Sequence, residues 1–396
     1  MTEFDRRITT PPLIDPEYGP IELTEEYLWH MQTLIHPTAV LEQAGYILHQ
    51  LSATDLERKK RCFKCHRVLP AKKQKPGYLP KTQVNNGGHS SKPKDESSGK
   101  SQLQKSACKF HPGSVSQRKW TCCNGNTFAP PCTGNDQHTP RFYAPGELAK
   151  DWQFFHTPES KAEPVAAVVL DCEMGTNVYG DSELIRISVV EYFSRVVLLD
   201  SLVWPDIKMQ HYNTRFSGVT RQAMISAKQT GKCIVGRANV RKRLWKFIGP
   251  ETIVIGHATH GDLNSLRWIH PMLIDTLIIE TQNRPPPPEK EAEEGEGESA
   301  IAAVAISADG DEDGDALQKR GDGEGQEDTN KTPKKKGGLS LKALSLQRLD
   351  RVIQVKGQGH DSLEDAIATR DILHWNVIKA WNDERQEYFA QATTDT

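Results

Sequence analysis

The feature that most constrains this chain is a cluster of cysteine and histidine residues in its first half. Six of the eight cysteines fall between residues 62 and 132, and two histidines accompany them. The eight candidate ligands are Cys62, Cys65, Cys108, His111, Cys122, Cys123, Cys132 and His138. Eight ligands suffice for two tetrahedral Zn²⁺ sites, and thiolates favour zinc over harder cations. Because this region has few aliphatic residues, we expect it to need two structural zinc ions to fold. Spacing does not indicate which ligands share an ion, and unconnected free thiols are the alternative.

The apolar and basic runs of the chain indicate the cellular compartment in which the protein is expected. The first residues, Met1 to Arg7, are not followed by the apolar segment of a secretory signal, and no run reaches the ~20 apolar residues of a membrane span. We therefore expect a reducing compartment and no membrane association. Short basic runs at 58–61 and 334–336 predict a nuclear protein, otherwise a cytoplasmic one, although such runs are also common on solvated surfaces.

Composition changes along the chain predict its organisation. A helical region at 1–60 precedes the zinc-binding module at 61–138, which contains a flexible excursion at 71–106 rich in Lys, Ser, Gly and Pro. An α/β domain follows at 164–381. A disordered acidic insertion at 284–337 interrupts it, with 15 acidic and 4 basic residues between Arg284 and Asn330. The rest of the chain carries 46 basic and 37 acidic residues, which is compatible with binding a polyanion.

Apolar runs and helical periodicity predict the elements of this α/β domain. Strands are expected at Val165–Leu170, Leu184–Tyr192, Val196–Leu202, Ile253–Ile255 and Met272–Ile278. Helices are expected at Thr220–Ala227, Ala238–Phe247, Asp262–Trp268 and about Leu363–Trp381. Together they indicate a mixed sheet flanked by helices.

Four carboxylates follow these elements at three separate places. Asp171 and Glu173 end the first strand and, because side chains alternate, project from one face. Asp262 lies where a helix follows the Ile253–Ile255 strand, and Asp365 lies in the first turn of the last helix. Paired carboxylates of this kind suit Mg²⁺ or Mn²⁺. Taken singly, each also fits an ordinary solvated strand end or helix start.

These carboxylates stand in motifs that resemble those of the DEDD exonuclease family. The motifs are Leu-Asp-Cys-Glu-Met-Gly at 170–175, Gly-His-x4-Asp-Leu at 256–263 and His-x4-Asp at 360–365. The last spacing is similar to that of the histidine subtype. The stretches 212–220, 274–276 and 340–344 resemble the Rex-type RNA exonucleases in particular. The resemblance covers about 164–283 and 338–381.

The resemblance implies an RNase H-like fold and release of nucleoside 5′-monophosphates from the 3′ end of single-stranded RNA. Asp171, Glu173, Asp262 and Asp365 would hold two Mg²⁺ or Mn²⁺ ions. His360 would act as general base, since histidine titrates close to neutral pH. The family's backbone approaches the terminal nucleotide at the positions of Met174 and Gly175, and Arg215 is a candidate phosphate contact with a salt bridge as its alternative.

The zinc region has a resemblance of its own. Cys108-Lys-Phe-His-Pro-Gly and Trp120-Thr-Cys-Cys are similar to the CHORD zinc module, which departs from this chain in lacking the long excursion. This resemblance implies docking of a protein partner, or contact with RNA. Two further functions stay open: a zinc-dependent interaction protein whose nuclease domain is inactive, and a DNA 3′-exonuclease. Filled positions at all five catalytic sites argue against the inactive form.

Overall fold

The structure is a computed structural model that describes residues 13–14, 16–69, 106–159, 163–284 and 338–394. The predicted excursion 71–106 apart from Ser106, the predicted insertion 284–337 apart from Arg284, and the basic run 334–336 lie outside these residues. The chain divides into two compact units. One comprises residues up to His49, Phe154–Asn177 and Ser182 onward, and the other comprises Gln50–Gln153 with Val178–Asp181.

The described strands range from two to eleven residues in length. They are β1 (Cys108–Phe110), β2 (Val115–Ser116), β3 (Lys119–Trp120), β4 (Thr133–Asn135), β5 (Phe155–His156), β6 (Ala167–Asn177), β7 (Ser182–Glu191), β8 (Val197–Trp204), β9 (Met209–His211), β10 (Cys233–Val235), β11 (Ile253–Gly256), β12 (Trp268–Ile269) and β13 (Leu273–Asp275).

The helices are α1 (Glu25–Gln32), α2 (Thr38–Gln43), α3 (Ala53–Arg58), α4 (Glu147–Asp151), α5 (Thr214–Ser217), α6 (Arg221–Gln229), α7 (Arg237–Leu244), α8 (His260–Leu266), α9 (Thr276–Gln282), α10 (Leu341–Leu349) and α11 (Ser362–Thr394). None of these described helices combines the length and apolarity needed to cross a membrane.

The first unit is built on a mixed sheet in the order β10-β8-β7-β6-β11-β13, with β9 paired to the far end of β6. The pairs around β7 are antiparallel, whereas β6, β11 and β13 run parallel. The predicted fold class, a mixed sheet flanked by helices, is confirmed. Parallel strands of this kind are buried on both faces, which explains the nearly continuous apolar run of Val165–Leu170.

Alternation along β6 separates two apolar layers. Val168 and Leu170 face a core that includes residues of α7 and α8, whereas Ala167 and Val169 face a core that includes α1 and α11. The odd-numbered positions of β6 therefore point toward α11. Helices α1 and α2 belong to this unit because Met31 and Leu41 are fully buried in its cores.

The structure corrects several predicted elements. The strand expected at Met272–Ile278 ends at Asp275, because the Asp275 carboxylate accepts the Leu277 N–H and caps helix α9. Strand β6 continues seven residues beyond Leu170, to Asn177, where it pairs with β7 and β9. Helix α11 runs to Thr394, well past Trp381.

The second unit contains little regular structure. Its strands form two small antiparallel sheets, β1 with β4 and β2 with β3, joined by loops and flanked by α3 and α4. Among its described residues, those that are buried are Cys62, Ser106 and Cys108, and none of them has a large side chain. A unit with so small an apolar core needs further crosslinks to be stable.

Arg370 anchors the third turn of α11 to the end of β7. It is fully buried, and it donates to the backbone oxygens of Tyr192 at 2.6 Å and Gly19 at 2.7 Å and to Asp371 at 2.7 Å.

We expect Arg370→Met to lower the free energy of unfolding by about 3–5 kcal/mol, because Asp371 and two carbonyls lose a buried donor. The control Lys379→Met, which removes a half-exposed ion pair with Asp383 on the same helix, should cost less than about 1 kcal/mol. Urea unfolding of both variants measures the difference, and similar losses would contradict this role.

Candidate active site and metal-binding clusters

Strand β6 presents Asp171 and Glu173 on the face that α11 covers. The antiparallel register places Asp171 opposite Ser188 and Glu173 opposite Arg186, so these four side chains share one face. The register shifts between Glu173 and Met174, which makes a β-bulge directly after the second carboxylate. Bulges bend a strand and re-aim its side chains, and they recur beside active sites.

Asp262 reaches the same strand from helix α8. Its carboxylate accepts a hydrogen bond from Thr259 Oγ1 at 2.7 Å and another from the backbone N–H of Cys172 in β6. Asp275, at the end of β13, holds the loop before α8, because its Oδ1 accepts the Ala258 N–H at 2.9 Å. Ala258 adopts a positive φ of 55°, a strained conformation for a residue with a side chain. Asp275 therefore holds the turn that aims Asp262.

Helix α11 begins at the site and brings Asp365 into it. Asp361 caps the helix, with its Oδ1 accepting the Leu363 N–H at 2.9 Å. The same Oδ1 lies 3.0 Å from Nη2 of Arg186 in β7. Arg186 also donates to Asp200 from both Nε and Nη2. One guanidinium therefore joins the sheet to the start of the helix, and this fixes how Asp365 meets the carboxylates of β6.

His360 lies in the loop just before α11. Its Nδ1 is 3.9 Å from Asp365 Oδ2, and its side chain is 35% exposed. Its backbone N–H donates to the Phe216 carbonyl at 2.5 Å. The imidazole is thus held beside the carboxylates while part of it stays open to solvent.

Two glycines let the His360 loop lie against the turn that contains helix α5. Gly218 and Gly359 have φ values of +63° and +78°, and a Cβ built on Gly359 would lie 2.5 Å from the Gly218 backbone. A Cβ built on Gly218 would lie 2.9 Å from the His360 carbonyl oxygen. Both the left-handed conformation and the close approach exclude other residues here.

The structure brings the five predicted catalytic residues to one edge of the sheet. Ligand atoms of Glu173, His360 and Asp365 lie within 4.8 Å of one another. Asp171 and Asp262 are outside this tightest set, but they interact electrostatically with it and with each other.

Burial raises the pKa values of all four carboxyl groups, and repulsion by other members of the set raises those of Asp171 and Glu173 further. For Asp171 burial contributes most, followed by the charges of Asp262, Asp365 and Glu173. Burial and the charges of Asp365 and Asp262 raise the pKa of Glu173 to about 8. Burial also raises the pKa of Asp262 and of Asp365 to about 7 each. A bound cation would stabilise the ionised form of these carboxyl groups.

The carboxylates fit a divalent metal. All donors except His360 are oxygen atoms, the ligand type of Mg²⁺ and Mn²⁺. Asp365 Oδ2 accepts from Gln354 Nε2 at 3.0 Å, whereas its Oδ1 is buried without a hydrogen-bond partner. A buried carboxylate oxygen left unpaired is costly unless a cation is its partner.

Two of the predicted substrate-binding residues lie in β6 beside the carboxylates, and the third lies on helix α5. Met174 and Gly175 continue β6 directly after Glu173. A Cβ on Gly175 would meet Met209 Cε at 2.6 Å and the His211 carbonyl at 2.9 Å, so glycine is required there by the approach of β9. Arg215 is exposed on helix α5, with its guanidinium 5.6 Å from the ring of the neighbouring Phe216.

In the second unit the eight cysteine and histidine ligands separate into two sets of four. One set is Cys62, Cys65, Cys108 and His138, and the other is His111, Cys122, Cys123 and Cys132. Within each set the ligand atoms lie within 4.8 Å of one another. The pairing that spacing alone left open is therefore given by the fold, because β1 pairs with β4 and thereby brings the Cys108 and His138 segments together.

Interatomic distances in both sets fit a tetrahedral ion. Cys62 Sγ lies 3.6 Å from Cys108 Sγ, and Cys132 Sγ lies 3.5 Å from Cys122 Sγ. Zinc–sulfur bonds of about 2.3 Å at a tetrahedral angle separate two sulfurs by about 3.8 Å. Burial and the nearby Cys62 and Cys65 thiols raise the pKa of Cys108 to about 12, so these thiols ionise together only around a cation.

The surroundings of His111 fix its ring for such a role. Its Nε2 lies 3.1 Å from the Ala129 carbonyl, and its ring stacks on Trp120 at 4.3 Å. The Nδ1 atom, 3.6 Å from the sulfurs of Cys122 and Cys123, is thereby turned toward the thiols.

Several residues that support the site were not predicted from the sequence. Arg186, Gln354 and Asp275 hold Asp361, Asp365 and the Asp262 loop, respectively. For Asp275 a signal existed, since 274–276 was part of the resembling stretch. Arg186 faces Glu173 only through the register of two strands, which single-sequence patterns do not specify.

Comparison with known proteins supports a relationship to nucleases. No family model matches the chain. A protein named RNA exonuclease 3 from Emericella nidulans is 28% identical over 90% of this chain and 52% of its own length. A protein of the same name from Candida albicans is 32% identical over 45% of this chain and 43% of its own. The chain thus spans about half the length of these curated relatives.

A solved structure, the Neurospora crassa Pan2 catalytic unit with its protease and nuclease domain, aligns with 66% of this chain and 37% of that one. The sequence identity is 16% and the TM-score is 0.37.

The glycine contact behind His360 gives a testable prediction. Gly357 and Gly359 both have positive φ, but nothing lies within 4 Å of a Cβ on Gly357. Gly357→Ala should therefore cost only the conformational strain of about 1–2 kcal/mol. Gly359→Ala should cost about 1–3 kcal/mol more, because its methyl group would overlap Gly218. Urea unfolding gives both values, and hydrogen exchange at 212–218 should rise only for Gly359→Ala. Equal losses in the two variants would exclude the contact as the reason for glycine.

Proposed function

We propose that this protein is a 3′→5′ exoribonuclease that releases nucleoside 5′-monophosphates by metal-dependent hydrolysis. The observation that carries the proposal is the convergence of Asp171, Glu173, Asp262 and Asp365 with His360 at one sheet edge, although they come from three distant parts of the chain. A chance grouping of acids would not be expected to match three motif positions and also to raise one another's pKa values.

The relatives support the kind of reaction and the kind of polymer. Two of them are named RNA exonuclease 3, and the similarity to one of these extends over 90% of this chain. The direction of hydrolysis, the single-stranded 3′ end and a role in RNA 3′-end processing or trimming follow from the resemblance of the motifs to Rex-type enzymes. They are part of the proposal.

Each residue of the site has a proposed task. Asp171, Glu173, Asp262 and Asp365 would hold two Mg²⁺ or Mn²⁺ ions, and such ions would promote ionisation of a water and offset negative charge that develops in hydrolysis. His360 takes a proton from that water: it stands beside Asp365 and is partly open to solvent, where the attacking water must arrive. Asp361 and Arg186 hold the loop and helix that position His360 and Asp365.

Exclusion of water from part of the site strengthens these interactions. Glu173, Asp262 and Asp365 are buried, so charges formed there are only weakly screened. The exposed side of His360 and the exposed Arg215 leave one direction open for an RNA strand. Met174, Gly175 and Arg215 are the proposed contacts to the terminal nucleotide.

We further propose that the two sets of cysteine and histidine residues each hold a structural Zn²⁺ ion. The sulfur-rich donor sets and their spacing support zinc. The CHORD-like character of the unit, its use as a docking surface for a protein, and nuclear localisation stay predictions.

Asp171→Asn should abolish release of mononucleotides from end-labelled single-stranded RNA in Mg²⁺ or Mn²⁺. In EDTA the same variant should melt at the same or a higher temperature than the wild type, because a neutral amide removes the repulsion of the Asp171 carboxylate by Asp262, Asp365 and Glu173. Loss of activity together with unchanged or raised melting temperature separates a chemical role from unfolding.

The control for this experiment is Asp350→Asn, at an exposed position in the left-handed conformation that asparagine also tolerates. It should keep full activity. Parallel digestion of DNA of the same sequence tests the preference for RNA. Full activity of Asp171→Asn would overturn the proposed function, and equal rates on DNA would remove the restriction to RNA.

The zinc proposal predicts two Zn²⁺ ions per chain by metal analysis. Cys108→Ser should reduce this to about one and raise hydrogen exchange in 106–141, because one tetrahedral set loses a ligand. Cys233→Ser, in strand β10 and outside both sets, should leave the zinc content unchanged. Equal zinc contents in the two variants would contradict the assignment of the ligands.

A further inference from the structure

A cavity of about 600 Å³ lies in the first unit between the segment linking β8 to β9 and helix α6. Its walls include the aromatic side chains of Trp204 and Tyr212 and the basic side chains of Lys208, His211 and Arg221. Its volume is within the range of small-molecule sites, about 300–1,000 Å³. Nothing in the proposed mechanism uses this cavity.

The cavity adjoins the carboxylate edge through strand β9. His211, in its wall, pairs with Thr176 of β6, which follows Glu173 by three residues or about 10 Å along the strand. Tyr212 begins the turn that ends at Gly218, and its carbonyl oxygen accepts the Ser217 hydroxyl at 2.7 Å. That turn also supplies the Phe216 carbonyl that holds the His360 backbone.

The lining has a chemistry suited to a nucleotide. Lys208 and Arg221 form no ion pair with a carboxylate in the described part of the chain, and the acidic residue of the wall is Asp206. Unpaired cations beside partly exposed aromatic rings are how proteins bind single-stranded nucleic acid, with cations on the phosphates and rings under the bases. A purely apolar ligand would leave these cations without a partner, and a cationic ligand would be repelled.

We propose that this cavity binds a nucleotide of the RNA strand on the 5′ side of the terminal nucleotide. The inference rests on the proposed function and extends it, because it makes affinity depend on more than the nucleotide being removed. Lys208 and Arg221 each contact one of the two backbone phosphates that flank this nucleotide, and Tyr212 and Trp204 contact its nucleobase.

Two substrates of different length separate this cavity from the catalytic centre. The p-nitrophenyl ester of uridine 5′-monophosphate fills only the reacting position, whereas a single-stranded RNA of about ten nucleotides extends beyond it. The test variant is Lys208→Glu with Arg221→Glu. The matched control is Lys242→Glu with Arg243→Glu, two exposed positions on α7 with the same change of charge.

The cavity variant should hydrolyse the ester at the rate of the wild type and bind the RNA at least about tenfold more weakly, as measured by fluorescence anisotropy in an Asp171→Asn background. The slope of log affinity against log salt should also fall by about 1.4, since two phosphate contacts on a single strand are lost. The control variant should change RNA affinity by much less and leave the salt slope close to that of the wild type.

Unchanged RNA affinity in the cavity variant would overturn the proposal, as would an equal loss in the control. A parallel loss of ester hydrolysis would also overturn it, because the substitutions would then act on the catalytic centre. If the wild type hydrolyses neither substrate, the proposed function fails, while the anisotropy measurement still decides whether the cavity binds RNA.

Discussion

Repulsion among the buried carboxyl groups around the middle of β6 is the constraint that the surrounding fold must offset. Burial and neighbouring charges raise the pKa of Glu173 to about 8, and burial raises those of Asp262 and Asp365 to about 7, so without a cation these groups are not all ionised at neutral pH. Such an edge does not assemble by attraction among its own side chains. The surrounding fold must hold it, and a bound divalent cation then turns the repulsion into binding energy.

The free energy that holds the edge comes from the docking of α11. Leu373 and Val377 pack the helix against the sheet, and Arg370 in its third turn donates to the backbone of Tyr192. At its start, Arg186 joins Asp361 to the sheet by an ion pair. Since Asp365 lies between these two attachments on a rigid helix, its position is set by contacts outside the carboxylate cluster. A site built this way keeps its geometry before any cation binds.

Local patterns in the sequence predicted the positions of the site carboxylates better than the strand pairings that hold them in place. The apolar strand before Asp171 and the helix start at Asp365 are local features, and both lie where the patterns placed them. Strand β9 has three residues and no apolar alternation, so its pairing with β6 could not be predicted. The segment 272–278 is apolar except at Asp275 and Thr276, and periodicity over so short a run does not distinguish one buried strand from the strand-and-helix pair that Asp275 divides. The grouping of the cysteines depends on β1 pairing with β4, which is equally non-local.

The turn from Tyr212 to Gly218 connects the cavity with the catalytic loop. Its first residue lines the cavity, its Phe216 carbonyl holds the backbone of His360, and its last residue meets Gly359 without intervening side chains. Close-packed backbones transmit displacements because no flexible side chain absorbs them. In the proposed complex, a nucleotide in the cavity would contact the turn that also holds the loop carrying His360. In that proposal, binding of the strand upstream of the scissile bond and the position of the general base His360 depend on the same short segment. Strand binding is thereby coupled to hydrolysis at the end of the strand.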